Sequence, residues 1–348
     1  MKYLIFSVLL MLALYGVAII VTALCRQKAQ REVAPLSKDV GNCCKGFAIA
    51  IIMLTHIGNV FGVRYLTPLG SWGVGIFLFL SGFGLTVSTE KKGLENYWKN
   101  RIVVAWLPYV VVECIGFLLC PTAEYFQLQW QDILLDLLLI RTIHPFGWYM
   151  QCLFLYYLGF YLANRLCRNN KPGKYAILSA LCVVLFLCFR SLFKQQVFPF
   201  VFGVLIADDR KLREKLVSAP LNGLLCLIAG AMCLLVRQTA VVRSLVWVHE
   251  SVFAIQVLLL TLGTVNAMNW LYAHSRSVLL KPALLLGVVS YEIYLYHGWI
   301  LDRISEETVS YLTITLFFIG SIAIAIAIHW VWDKWMGRLK GRMRKSPK

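Results

Sequence analysis

His56 ends an almost wholly apolar run, Lys45-Gly-Phe-Ala-Ile-Ala-Ile-Ile-Met-Leu-Thr-His56. A titratable side chain is costly in such a setting and implies a task. A neutral imidazole there offers two chemistries, removal of a proton from a hydroxyl or nucleophilic attack on an acyl carbonyl. Its bland alternative is a helix-packing histidine bonded to a neighbouring hydroxyl or carbonyl. Eleven steps at about 100° bring Lys45 to within about 20° of the His56 face, about 16 Å away along the axis. A cation at one membrane surface and an imidazole near the middle of a ~30 Å hydrocarbon core suit a long acyl donor with an anionic head. Lys45 equally fits a snorkelling role as the last basic residue before a span. Glu292, about eleven residues into an apolar stretch, needs a cation, a histidine or a proton. It either orients His56 or pairs with a donor-site cation, unless it is a protonated acid bonded to another helix. Tyr291, Tyr294 and His297 follow Glu292 at roughly helical spacing and extend a polar face. Glu113 is also expected to be buried, with no role beyond that of an acid partner.

These groups must be carried by membrane helices. The 348 residues are 59% apolar and only 15% charged, with apolar runs recurring at transmembrane length. The expected fold is therefore an all-α polytopic membrane protein. Eleven spans are predicted, near 3–24, 46–62, 72–88, 102–119, 147–164, 175–189, 196–207, 220–236, 249–270, 283–301 and 311–333. The loops at 25–45, 89–101, 165–174, 208–218, 271–281 and 334–348 hold 26 of the 34 Lys and Arg. That loop-by-loop alternation makes this side cytoplasmic, with the N-terminus outside and the C-terminus inside. The net charge of +17 thus reflects topology and attraction to the lipid bilayer, not nucleic acid. The first apolar run is read as a retained anchor, because Arg26, Lys28 and Arg31 follow it directly and no small-x-small cleavage site is evident. The domain plan is an anchor and linker over 1–37, a membrane domain over 38–335 and a basic tail over 336–348.

The eleven cysteines fall mostly inside apolar spans and read as packing residues; Cys120 is the one placed on the oxidising side, and Cys43 and Cys44 lie where palmitoylation is an alternative. Residues 131–140 form a stretch that fits an amphipathic interfacial helix. No His or Cys pair has metal-ligand spacing backed by carboxylates, and no glycine-rich nucleotide loop is present.

Six segments occur in register with the predicted spans: Lys45 to His56, Trp72 to Phe83 (WGVGIFLFLSGF), Tyr97 to Tyr109 (YWKNRIVVAWLPY), Gly147-Trp-Tyr149, Phe198 to Gly203 (FPFVFG) and Ser290 to His297 (SYEIYLYH). Their order and spacing resemble the acyltransferase-3 family of integral membrane acyltransferases over about residues 38–335. The resemblance implies a ten-helix core, so residues 1–24 are an added helix. It also implies transfer of an acyl group, usually acetyl from cytosolic acetyl-CoA, to a carbohydrate hydroxyl at or beyond the outer face of a bacterial plasma membrane. In the family the first core helix carries Arg, ten residues, then a catalytic His. Here His56 matches the His, and Lys45 replaces the Arg, which keeps the cation but loses the two-pronged phosphate clamp.

On this basis His56 and Glu292 are the catalytic candidates. Lys45, Arg101 and Ser81 are assigned to the donor, Arg101 with the same snorkelling alternative as Lys45 and Ser81 with helix packing as its alternative. Trp148, Tyr291 and His297 are assigned to the carbohydrate acceptor, Trp148 with an aromatic-belt role and His297 with a place as an interfacial histidine as their alternatives. No permanently bound cofactor or metal is expected; acyl-CoA is a cosubstrate. The rival reading is a transporter of small solutes or acyl groups, in which buried Glu292 and His56 serve proton coupling; a third is a scaffold or inactive relative, to which Lys45 in place of the family Arg lends weight.

Overall fold

A computed structural model describes residues 2–24, 35–119, 128–144, 146–168, 170–274, 277–304 and 308–345. Cys120, the linker cations Arg26, Lys28 and Arg31, and the last three residues of the basic tail lie outside them. The described residues form helices and no strands, as expected where lipid denies backbone groups any partner but their own helix.

The helices are α1 (Lys2–Leu24), α2 (Lys38–Val60), α3 (Thr67–Lys92), α4 (Tyr97–Arg101 continuing through Ile102–Trp106 into Leu107–Leu119), α5 (Trp130–Leu137), α6 (Trp148–Leu166), α7 (Lys171–Cys188), α8 (Pro199–Asp208), α9 (Pro220–Arg237), α10 (Val246–His274), α11 (Ser277–Val288), α12 (Ser290–Leu301) and α13 (Tyr311–Lys345). Each of the eleven predicted spans contains helix. Seven of the described helices are individually long and apolar enough to cross a bilayer, and α11 with α12 makes an eighth if that bent pair is one span. The other three fall short for separate reasons. The described apolar part of α1 is Ile5–Val17; α6 is rich in Tyr, Trp, Gln and Asn; and α8, with 10 residues, is about 15 Å long, half a hydrocarbon core.

The local sequence explains the breaks. Ser37 caps α2, its side chain accepting from the Val40 N–H. Proline opens α3, α7, α8 and α9, where its missing N–H costs nothing. Pro108 inside α4 has no N–H to return to the preceding turn. The helix answers with a π-helical stretch over Ile102–Trp106, closed by the Leu107 N–H on the Ile102 carbonyl. The last turn of α3 ends at Gly93, at φ 67°, a left-handed conformation that favours glycine.

Close crossings set the core. In α2, α3 and α10, 67% of the span residues are buried, against 17% in α7 and α9, so the first three are central and the last two peripheral. A Cβ on Gly82 of α3 would lie 2.1 Å from the Phe200 carbonyl oxygen, and one on Gly203 of α8 would lie 2.1 Å from that of Phe79. The glycines thus interlock two backbones. The same reciprocity joins α2 to α11, Gly46 against Ala283 and Gly287 against Asn42. Leu280 also meets this turn of α2, its carbonyl accepting from the Cys43 thiol. Leu280, Ala283 and Gly287, spread over about two turns of α11, therefore all meet the Asn42–Gly46 turn of α2. The chain then bends by 64° into α12, which climbs beside α2 toward its far end. α1 packs on α11 and α13, through Tyr15 to the Leu279 carbonyl and Phe6 against Tyr311.

Candidate active site

The bend at Val289 decides where the chemistry-bearing residues of α12 point. Glu292, in its first turn, reaches the neighbouring helix α13, where its Oε1 lies 2.5 Å from His329 Nδ1. His329 Nε2 lies 3.5 Å from Asp333 Oδ2 one turn further on. Glu292 is thus held by His329 and not by His56. Five residues separate Glu292 from His297, about 7.5 Å and a rotation of about 140°, so the two cannot serve one imidazole from the same helix face. The pairing still satisfies what a carboxylate in this position demands, a histidine partner.

His297 is the group that meets His56. Their ring centroids are 5.2 Å apart, and Phe146, from the segment leading into α6, closes the group at 4.0 Å from His56 and 5.1 Å from His297. His297 is fully buried. Its Nδ1 lies 3.0 Å and 2.9 Å from the carbonyls of Ile293 and Tyr294, so Nδ1 carries the proton and donates it. Nε2 then holds a lone pair, and no described residue bonds it. His144 has the opposite arrangement. Its Nδ1 accepts from the Phe146 N–H at 3.3 Å, so Nε2 bears the hydrogen, 3.4 Å from Asp302 Oδ2. The His144 ring stacks on Trp299 at 4.9 Å and sits where a Cβ on Gly298 would have to be. His56 is half-buried and lies four residues from the end of α2. It is therefore closer to the far end of the bundle than the predicted mid-span depth.

Nearer the basic loops, a cavity of about 670 Å³ is lined by Lys45, Ser81, Tyr157, Tyr291, Glu292 and His329 among others. Val104, Val111 and Val331 line it while remaining exposed, so it opens between α4 and α13; it also reaches Asp333 near the basic end of α13. Tyr291 donates to the Ala105 carbonyl inside the π-helical stretch at 2.5 Å, so it shapes this wall and does not stand with His56 and His297. A smaller polar pocket of about 380 Å³ gathers Ser88, Lys92, Asn96, Lys99 and Arg101. The Arg101 guanidinium lies over the Tyr157 ring, 5.5 Å from its centroid, and so joins the pocket to the cavity wall.

Trp148 does not fit an acceptor platform. It is 6% exposed and packs against Phe193 at 5.9 Å, which leaves no open ring face for a sugar. His329 and His144 are the site residues that sequence reasoning missed. His329 and Asp333 stand at i and i+4 in the last span, and His144 lies just before Gly147-Trp-Tyr149; both signals were present in the chain. Among the described residues, no three His, Cys, Asp or Glu side chains gather as a metal site.

The model of the acyltransferase domain family matches residues 42–331. Over 120 residues, 30% of this chain, the protein is 29% identical to acyltransferase MdmB of Streptomyces mycarofaciens. The match spans 31% of that relative's length. No solved structure matches. The matched range takes in Lys45 and His56, all of α12 and the cavity lining apart from Trp332 and Asp333, and the chain belongs to the acyltransferase domain family of multi-pass membrane transferases.

Proposed function

We propose that the protein transfers acetyl from acetyl-CoA to a hydroxyl of a cell-surface or exported glycan at a bacterial plasma membrane, with His56 as the general base. The observation that carries this reading is the meeting of His56 and His297, 5.2 Å apart, beyond a cavity lined by Lys45 and Ser81. Two imidazoles, one with an unpartnered buried lone pair, can orient a hydroxyl and take its proton. The oxygen then attacks the thioester carbonyl, the carbon–sulfur bond breaks, and the proton held by His56 passes to the sulfur, so that CoA leaves as the thiol.

Donor features collect at the other end. Lys92, Lys99 and Arg101 share the small polar pocket and suit nucleotide phosphates. Lys45 lies deeper, seven residues into α2, and the narrow pantetheine arm runs past it toward His56. By the charge distribution of the loops, the donor end is cytoplasmic and the His56 end faces outward. The acyl group therefore reaches its acceptor through the protein while CoA stays inside.

The test supplies membranes containing the protein with acetyl-CoA labelled in the acetyl group. The expected result is label in carbohydrate that mild alkali releases as acetate, the behaviour of an O-ester. Label that moves across sealed vesicles without entering any ester would overturn the reading in favour of transport.

A further inference from the structure

His56 does not line the donor cavity. The rings between them explain why. Phe77 of α3, Tyr149 of α6 and Tyr294 of α12 all face the cavity, all are under 9% exposed, and they pack on one another. Tyr149 and Tyr294 are 4.7 Å apart, and Phe77 is 6.3 Å from each. Tyr294 belongs to both sides. It lines the cavity, yet its ring lies 5.7 Å from His297, and its hydroxyl donates to the Phe146 carbonyl at 3.0 Å. Phe146 is in turn the ring closest upon His56.

We propose that Phe77, Tyr149 and Tyr294 form an aromatic partition between the donor cavity and the His56 cluster, with Tyr294 as its movable leaf and the bond to Phe146 as its latch. The inference rests on the cavity being the donor's and His56 being the base. A chain that binds a reactive thioester on one side and a base on the other must keep water from reaching both before the acceptor arrives. An acceptor seated against His56 and His297 presses on Phe146, the residue that holds the latch. Moving Phe146 breaks the Tyr294 bond, the ring swings about its side-chain torsions, and the acyl arm passes. Tyr294 is thus a positioning residue that couples acceptor binding to donor access.

Thiol accessibility tests this without relying on turnover. The full chain carrying His56→Cys, in membrane vesicles of known sidedness, is treated from the basic-loop face with a small charged methanethiosulfonate, and modification is mapped peptide by peptide. With Tyr294 intact, position 56 should react slowly. Tyr294→Ala should speed its modification about tenfold or more, and Tyr294→Phe, which keeps the ring but loses the latch, should fall between. Ser81→Cys, on the cavity wall, should react equally in all three backgrounds. Equal rates at position 56 with and without Tyr294, while Ser81→Cys is unchanged, overturn the proposal. If Tyr294→Ala disturbs Ser81→Cys, Tyr294→Phe carries the comparison, and no acceleration there overturns it as well.

In the chain with His56 restored, Tyr294→Ala should raise acceptor-free hydrolysis of acetyl-CoA relative to transfer. No donor turnover in any variant counts against the acyl-CoA reading and leaves the thiol result to judge the partition.

Discussion

The two ends of the bundle handle ionisable groups in opposite ways. Toward the basic loops, Lys45, Glu292, His329 and Asp333 share a broad cavity open between α4 and α13. Toward the far end, His56, His144 and His297 are packed among Phe146 and Trp299, each ring a few ångströms from the next. The first arrangement suits a large charged ligand, held by countercharges that remain partly hydrated. The second suits proton transfer, because a neutral imidazole in aromatic surroundings loses little by burial and keeps its lone pair unhydrated. In the proposed reaction, recognition and chemistry are divided along the membrane normal, with α12 contributing to both: Glu292 to the first and His297 to the second.

Substitutions can break this division. The largest effect is expected from His56→Ala, which should lower kcat for transfer by about 10²–10⁴, the span expected for loss of a general base, with little change in donor KM. His297→Ala should follow, lowering kcat and raising acceptor KM together, because its Nε2 lone pair can accept from a neighbouring hydroxyl of the glycan while His56 takes the reacting proton. At the other end, Lys45→Ala should act through donor KM, raising it about tenfold while leaving kcat nearly intact. Steady-state kinetics with varied acetyl-CoA separates these patterns, and a kcat-dominated loss for Lys45→Ala would erase the distinction between the two ends.

Glu292 and His329 should prove coupled. Each single change to alanine is expected to cost stability, the double change less than their sum, by about 0.5–3 kcal/mol of interaction in a thermal-unfolding cycle. Strict additivity would dissolve the pair. The smallest effect should come from Trp148→Phe, which keeps an aromatic ring against Phe193 and should leave acceptor KM within about twofold, since no sugar reaches a buried ring. A large rise in acceptor KM would restore Trp148 to the acceptor site.

The all-α membrane architecture was legible in the chain, because apolar runs of transmembrane length are a one-dimensional signal. The face that each helix turns inward is not such a signal. In a membrane span apolar residues face both lipid and protein, so periodicity does not separate the two sides. Glu292 shows the consequence. Its depth and its need for a partner were readable, but which imidazole it meets depended on the bend at Val289 and the rotation of α12, which bring it to His329. His297 was assigned to the acceptor on its spacing and now stands beside His56. Trp148 was assigned by its position near an interface, which says nothing about whether Phe193 covers its ring.

The central claim is that His56 performs thioester-directed chemistry on a donor held at the opposite end of the bundle. The most direct measurement is release of free CoA from labelled acetyl-CoA by purified protein in nanodiscs, comparing wild type, His56→Ala and Lys45→Ala at saturating and limiting donor. Slow release by wild type is expected, with its loss in His56→Ala at every donor concentration and its recovery in Lys45→Ala when donor is saturating. Release by His56→Ala at the wild-type rate would rule out His56 as the base.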